Sequence, residues 1–187
     1  MKHRSYNILG NIAIVNFPKN FKTNEKKKFA EKILKQNKAV KTILEKTGKF
    51  KGRLRKMQTK HIAGEKTKEV LYKENNCTFR FNIDTSYFSP RLSNERKEIS
   101  SQIKKSDEVL VMFAGVGPLP IVIAKNSKPK SIISNEINRQ ANKYAKLNIE
   151  LNKLKDKIQL VPGDIKKITP KLKKKFNRIL MPLPKTG

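Results

Sequence analysis

The chain has 187 residues, with 44 Lys and Arg against 15 Asp and Glu, for a formal net charge of +29. That length suits one or two small domains, and a hydrophobic content of 36% is enough for a packed core. Unpaired cations are almost never buried, so most of the excess faces solvent, where it attracts polyanions such as phosphate backbones and repels cationic partners. Runs such as Lys173-Lys174-Lys175 are equally what a merely solvated face looks like. The single cysteine, Cys77, excludes an internal disulfide framework, and two histidines beside it leave little material for a metal site. The apolar run from Ile8 to Val15 is too short and too interrupted for a signal peptide or a membrane span. The expectation is a soluble, cytoplasmic monomer that works away from membranes.

No internal repeat is visible. Residues 5–17 read as a strand, bent or hairpinned at Gly10-Asn11 and ended by Pro18. From Asn24 to Gln36 the pattern is helical, with Phe29, Ile33 and Leu34 on one face and lysines opposite. Ala39 to Leu44 is a short strand candidate, and Gly48 and Gly52 then bracket a basic stretch that runs to Lys56. Val70 to Tyr72 and Cys77 to Ile83 alternate as two strands joined by a turn at Glu74-Asn75-Asn76. Residues 1–85 are therefore expected to form a small α+β domain.

The second half changes character. Arg91 to Ile103 reads as a helix, and Glu108 to Phe113 as a strand apolar enough to be buried on both faces. Ala114-Gly115-Val116-Gly117-Pro118 follows, then a helix from about Leu119 to Lys125. Ser131 to Glu136 is a strand ending in an acid, Asn138 to Leu151 a helix, Lys157 to Val161 a strand leading to Gly163-Asp164, and Phe176 to Met181 a fourth strand. Alternating strands and helices predict an α/β fold with a parallel, doubly wound sheet over residues 86–187. Four parallel strands are few for such a domain, and an apolar edge at Phe176–Met181 would lie unpaired, so the expectation is a chain that stops partway through it.

Three constellations carry chemistry. In Phe113-Ala114-Gly115-Val116-Gly117, glycine permits a tight turn and close backbone approach to a ligand. Glu136 ends the next strand where a ribose diol would sit, and Asp164 ends the one after, so the set fits a nucleoside ligand. Spacing alone does not separate a nicotinamide dinucleotide from S-adenosylmethionine. The third glycine of the dinucleotide fingerprint is absent near Pro120, and no phosphate-binding Lys-Ser/Thr follows the loop, so a cofactor without phosphates is favoured. The second constellation, Tyr87 to Arg96, joins the two domains. Ser89-Pro90 opens a helix, and Glu95 is either a helix-start carboxylate favoured by the dipole or a catalytic group. Tyr87-Phe88 could equally be interdomain core. The third combines Arg53-Leu54-Arg55-Lys56 with Lys60-His61-Ile62-Ala63-Gly64-Glu65, which could bind phosphates or be ordinary surface.

These stretches, with Ile8-Leu9-Gly10-Asn11-Ile12-Ala13-Ile14, Met112 to Pro118 and Met181-Pro182-Leu183-Pro184, occur in an order that closely resembles the archaeal and eukaryotic tRNA (guanine(37)-N1)-methyltransferases. The resemblance covers essentially the whole chain, and Tyr-Phe-Ser-Pro-Arg-Leu and Phe-Ala-Gly-Val-Gly-Pro make it specific. It implies a small RNA-binding α+β domain followed by an incomplete Rossmann-type methyltransferase domain, with S-adenosylmethionine as cofactor and tRNA as partner. By position it implies Glu95 as general base, Arg55 beside the target base and Tyr87 in the active-site linker. Phe113, Gly115, Gly117, Glu136 and Asp164 fall in the cofactor pocket. The candidate RNA contacts are Arg53, Arg55, Lys56, His61 and Arg91. Guanine N1 carries a proton that a carboxylate can remove, and the charge that then moves towards O6 can be met by a guanidinium.

Two positions depart from the family pattern: Val111 stands where an acid is usual, and Pro182 where Asn is usual. The first weakens the expected hold on the cofactor, and the second removes an amide from the methyl-transfer site. They leave open a related enzyme acting on a wyosine precursor at the same nucleotide, by methyl or aminocarboxypropyl transfer, or a tRNA-binding homologue with impaired catalysis.

Overall fold

The structure, a computed structural model, describes residues 6–18, 20–48, 52 and 57–182. The first sheet has the order β1-β2-β3-β4, from β1 (Tyr6–Leu9), β2 (Ile12–Val15), β3 (Thr42–Lys46) and β4 (Thr59–Gly64). β1 and β2 form the hairpin expected at Gly10-Asn11. Gly10 has φ +56°, and a Cβ there would stand 1.9 Å from the Leu71 carbonyl oxygen, so only glycine lets this turn press against the strand that follows β4. Helix α1 (Thr23–Gln36) carries the chain to a β3 parallel to β2 and buries Ala30 and Ile33 against Ala13, Val15 and Ile43.

Two local expectations shift here. β3 begins at Thr42 rather than Ala39, because Asn37–Val40 forms a turn and the Lys41 and Thr42 amides donate to the Asn11 carbonyl before the ladder starts. β4 has no counterpart among the elements expected from sequence, where Lys60–Glu65 reads only as a phosphate-binding or surface stretch. Its Thr-Lys-His-Ile-Ala-Gly alternates poorly, yet it pairs antiparallel with β3 across a bulge at Ile43/Leu44.

The next hairpin, β5 (Glu69–Glu74) and β6 (Cys77–Asn82), turns at Asn75 and Asn76, both with positive φ (+46° and +61°), as a two-residue hairpin turn requires. Val70, Cys77, Phe79 and Phe81 on one face are buried in a core that also takes in Leu9, Ile12 and Ile14 from one side and Val116, Leu119 and Ile121 from the other. The free edge of β6 is closed by side chains. Asn148 accepts from the Arg80 amide (2.7 Å) and donates to the Arg80 and Val116 carbonyls, and Asn152 does the same for Thr78 at 2.9 and 2.7 Å. The expected boundary at residue 85 places this hairpin with the first unit; its β5 edge bonds to Asn11 of that unit and its β6 edge to Asn148 and Asn152 of the second.

Residues 90–92 form a 3-10 turn with Pro90 at its start, so the helix expected from Arg91 becomes α2 (Ser93–Ser101). Beyond it lies a wholly parallel sheet of order β10-β7-β8-β9, from β7 (Glu108–Val111), β8 (Ser131–Glu136), β9 (Gln159–Pro162) and β10 (Arg178–Leu180). Helix α3 (Pro118–Asn126) links β7 to β8, and α4 (Arg139–Leu151) links β8 to β9. A short α5 (Ile165–Ile168), absent from the sequence reading, follows β9. β10 pairs with β7 along one edge and leaves Ile179 and Met181 exposed. At the start of the sheet Asp107 accepts from the Lys104 amide (2.9 Å), Asn177 and Arg178 (3.2 Å each), which ties the root of β10 to β7. No described helix is long and apolar enough to cross a membrane.

Replacing Asn148 by Leu keeps its size but orphans three backbone groups; water can reach the two at exposed Arg80, so the loss in denaturant unfolding should sit near about 3 kcal/mol, the low end of the 1–3 kcal/mol per buried unpaired group. Asp107 is held below the ordinary carboxylate range, first by the Lys104 amide and then by Arg178. A depressed carboxyl stabilises the fold above its unfolded pKa, and that stability is lost as pH falls through the folded one. Asp107→Asn should therefore flatten the acid limb of a stability-against-pH profile and lower the plateau at neutral pH.

Candidate active site

The strand order places β7 and β10 side by side although β8 and β9 intervene in sequence, and in such sheets ligands bind beyond the carboxyl ends of the strands at the point of reversal. The loops after β7, β8, β9 and β10 share this rim. The Met112 amide donates to the Leu180 carbonyl, Ala114 to Asn135, and Gly163 to Glu136, all at 2.9 Å.

Glu136 is the centre of the rim. One carboxylate oxygen accepts from the Gly115 amide at 2.8 Å and the other from the Asn138 amide at 2.7 Å. The acid at the end of β8 thus holds both the glycine loop and the start of α4. Asn138 in turn caps α4 with its side-chain oxygen and donates from its amide nitrogen to the Thr85 carbonyl at 2.9 Å, which draws the interdomain linker over the loop. Phe113, Gly115 and Gly117 have φ of +54°, +59° and +84°. A Cβ on Gly115 would lie 3.6 Å from the Tyr87 carbonyl oxygen, so linker and loop are neighbours. Asp164 caps α5 by accepting from the Lys166 amide at 3.1 Å.

The linker is anchored by Arg96. Its guanidinium, in α2, donates to both carboxylate oxygens of Glu74 on β5 (2.5 and 2.7 Å) and to the Ser89 carbonyl (3.0 Å). It also lies over the Phe88 ring, which stacks on Phe81 at 4.7 Å. Both charged side chains are almost free of solvent, at 6% and 3% exposure. Burial, reinforced by Glu74 and opposed by Arg96, raises the nearby Tyr72 phenol, and burial pushes the Cys77 thiol up to about 11. Cys77 is therefore an inert core thiol.

The structure brings Tyr87, Phe113, Gly115, Gly117 and Glu136 together, with Asp164 on the same rim. Glu95 stands in the first turn of α2, exposed, and enters no hydrogen bond or ion pair among the described residues. Arg91 is exposed in the preceding 3-10 turn. His61 lies on β4, its Nε2 3.2 Å from the Gly64 carbonyl. Arg53, Arg55 and Lys56 lie outside the described residues. Sequence reasoning missed Glu74 and Arg96, which are 22 residues apart with no pattern linking them, and Asn138, which the acid–x–Asn spacing before a helix could have revealed.

Residues 70–187 match the TRM5/TYW2 methyltransferase domain, and residues 2–67 match the TYW2 N-terminal domain. The chain belongs to the TRM5/TYW2 family. A relative from Nanoarchaeum equitans, the tRNA (guanine(37)-N(1))/4-demethylwyosine(37)-methyltransferase Taw22, is 46% identical over 150 residues, which are 80% of this chain and 49% of that protein. The structure of aTrm5 with tRNALeu superimposes with a TM-score of 0.83 at 34% identity, over 97% of this chain and 52% of that one. Methanocaldococcus jannaschii Trm5 in complex with adenosine gives 0.80 at 34% identity, over 97% and 53%. The chain spans about half the length of these relatives. The two family models meet between residues 67 and 70, so the TRM5/TYW2 methyltransferase domain includes the β5–β6 hairpin, in accord with its packing on α3 and α4.

Glu74→Leu should destabilise the protein by roughly 3–5 kcal/mol in denaturant unfolding, because it strands a buried guanidinium. The double variant Glu74→Leu/Arg96→Met should recover most of that loss. A double variant no more stable than the single one would show that the pair has no such coupling.

Proposed function

We propose that this chain carries the cofactor loop and the base-facing linker of a tRNA (guanine(37)-N1)-methyltransferase that uses S-adenosylmethionine. The observation that supports it best is the joining of the Gly115 loop to Glu136 beneath the Tyr87 linker, at the point where the strand order reverses. The residues present fit a nucleoside: Glu136 keeps lone pairs free for the ribose hydroxyls beyond its two amide bonds, and the positive-φ loop brings backbone rather than side chains towards the ligand. Phe113, Gly115, Gly117, Glu136 and Asp164 would hold S-adenosylmethionine, which supplies an electrophilic methyl carbon. The tRNA-bound and adenosine-bound relatives accord with this assignment of substrate and cofactor.

In this reading Glu95 takes the N1 proton of the guanine and frees the N1 electron pair, which a bound S-adenosylmethionine would methylate as its methyl carbon–sulfur bond breaks with the electrons left on sulfur. The Arg55 guanidinium meets the charge delocalised onto O6, and Tyr87 packs the base edge. Arg53, Lys56, His61 and Arg91 contact RNA phosphates, with the protein acting as a monomer. A second reading rests on Pro182 and on the dual name of the Nanoarchaeum relative: the same base and cofactor could serve 4-demethylwyosine at the same nucleotide.

Glu95→Gln keeps the shape and removes the basicity, so single-turnover methylation should fall by about a hundred-fold or more while tRNA and cofactor binding stay level. A wild-type rate would reduce Glu95 to a helix-start carboxylate. Glu136→Ala should weaken S-adenosylmethionine binding in calorimetry, and an unchanged affinity would remove it from the pocket. Assay on guanosine-37 and 4-demethylwyosine-37 tRNA separates the two readings.

A further inference from the structure

The amino-terminal edge of the parallel sheet, opposite the rim that carries Glu136, holds a cavity of about 580 Å³. It opens where α3 gives way to β8 and where α4 gives way to β9, so two separate crossover loops build it. Buried Ile132 and Ile158 contribute an apolar floor. Lys128 and Lys130 come from one loop and Lys155 and Lys157 from the other, with Asp156 as the one carboxylate lining the cavity.

Four lysines lining one concavity bring like charges together, and an apolar floor strengthens their repulsion by keeping water from one side. The charges are only partly answered from within. Lys130 shares Glu108 with Lys174, at 3.0 and 3.6 Å, and Lys155 reaches Glu150 at 3.4 Å. Lys130 and Lys155 remain 68% exposed in these pairs, which are therefore weak and readily exchanged for a stronger anion. Lys128 and Lys157 form no ion pair among the described residues. Lys174 adds a further cation at the mouth by donating to Ser131 Oγ at 2.7 Å. β8 runs from Ser131 at this mouth to Glu136 at the opposite rim, so the two sites stand about 17 Å apart at the usual rise of a strand. The occupant is thus distinct from any ligand of the glycine loop, yet within the span of one folded RNA.

We propose that this cavity is a second anion site, which seats a phosphodiester of bound RNA away from the reacting base. The choice of RNA over a free nucleotide rests on the reading of the chain as part of a tRNA enzyme. The test is lysine acetylation of the full chain, read by mass spectrometry, alone and with tRNA, with AMP or with inorganic phosphate. Lys128 and Lys157 should lose most of their reactivity with tRNA and keep it with AMP and phosphate. The double variant Lys128→Gln/Lys157→Gln should lower the magnitude of the slope of log tRNA affinity against log salt by about 1.5, and leave S-adenosylmethionine affinity unchanged. Tight tRNA binding with both lysines still reactive, or an unchanged salt slope, overturns the site and leaves the proposed function standing. Absence of any tRNA binding overturns both. Protection by AMP or phosphate as strong as that by tRNA makes the occupant a free phosphate ester and overturns the RNA assignment.

Discussion

The guanidinium of Arg96 sits where water cannot solvate it, and the position of the linker follows from that. A buried cation is tolerated only when its donors are satisfied, and here they are shared between Glu74 on β5 and the Ser89 carbonyl, with the Phe88 ring beneath. One partner lies before the linker, one within it, and Arg96 itself just after. The three bonds close together only when residues 83–92 take one path, and that path lays the Tyr87 carbonyl against Gly115 and starts α2 with Glu95 pointing outwards. A buried pair of this kind adds little net stability over a well-packed apolar one, while breaking it leaves an uncompensated charge. If the linker presents side chains to a reacting base, as proposed, a single arrangement is what the chemistry requires.

The distribution of the carboxylates points the same way. Acids are scarce in a chain of charge +29, and most of the described ones hold structure. Glu45 pairs with Lys26, Asp84 with Lys68, Glu69 with Arg80, and Asp107 with Arg178. Glu136 ties two loops and Asp164 caps a helix. Glu95 stands next to the most committed cation of the linker and yet makes no such contact among the described residues. A helix-start carboxylate gains a little from the dipole at any position in the first turn, but that gain does not require this one to face out from the domain junction.

What the sequence made legible follows from where burial leaves a pattern. β7 and β8 are covered on both faces, so their apolar runs announced them, and the glycine loop and Glu136 were readable because strand, turn and acid are consecutive. The Asn75-Asn76 turn was readable because few residues tolerate positive φ. β4 was not, since a half-exposed strand that carries an extra residue, Ile62, opposite the Ile43–Leu44 step has no clean alternation. The allegiance of the β5–β6 hairpin was hidden for another reason. Alternation shows that one face of a hairpin is buried but not what buries it, and the Asn148 and Asn152 side chains that claim its edge lie some seventy residues downstream. The Glu74–Arg96 pair is illegible in the same way.

The two departures from the family pattern acquire a physical meaning from the strand positions. Val111 is fully buried at the end of β7, paired with Ser134 on one side and Leu180 on the other. An ionised acid there would need partners that the apolar neighbourhood does not offer, so the wall behind the glycine loop is apolar in this chain, and in the proposed function the polar hold on a nucleoside falls to Glu136 and Asp164. Pro182 follows β10 directly on the same rim and brings neither a side-chain amide nor a backbone N–H. Under the proposed function, Pro182 itself supplies no donor to orient a base, which leaves more of that task to the linker. The rigid anchoring of that linker by Arg96 then bears directly on which atom of the base is presented, because a positional error of about 1 Å is enough to lose a hundred-fold in rate.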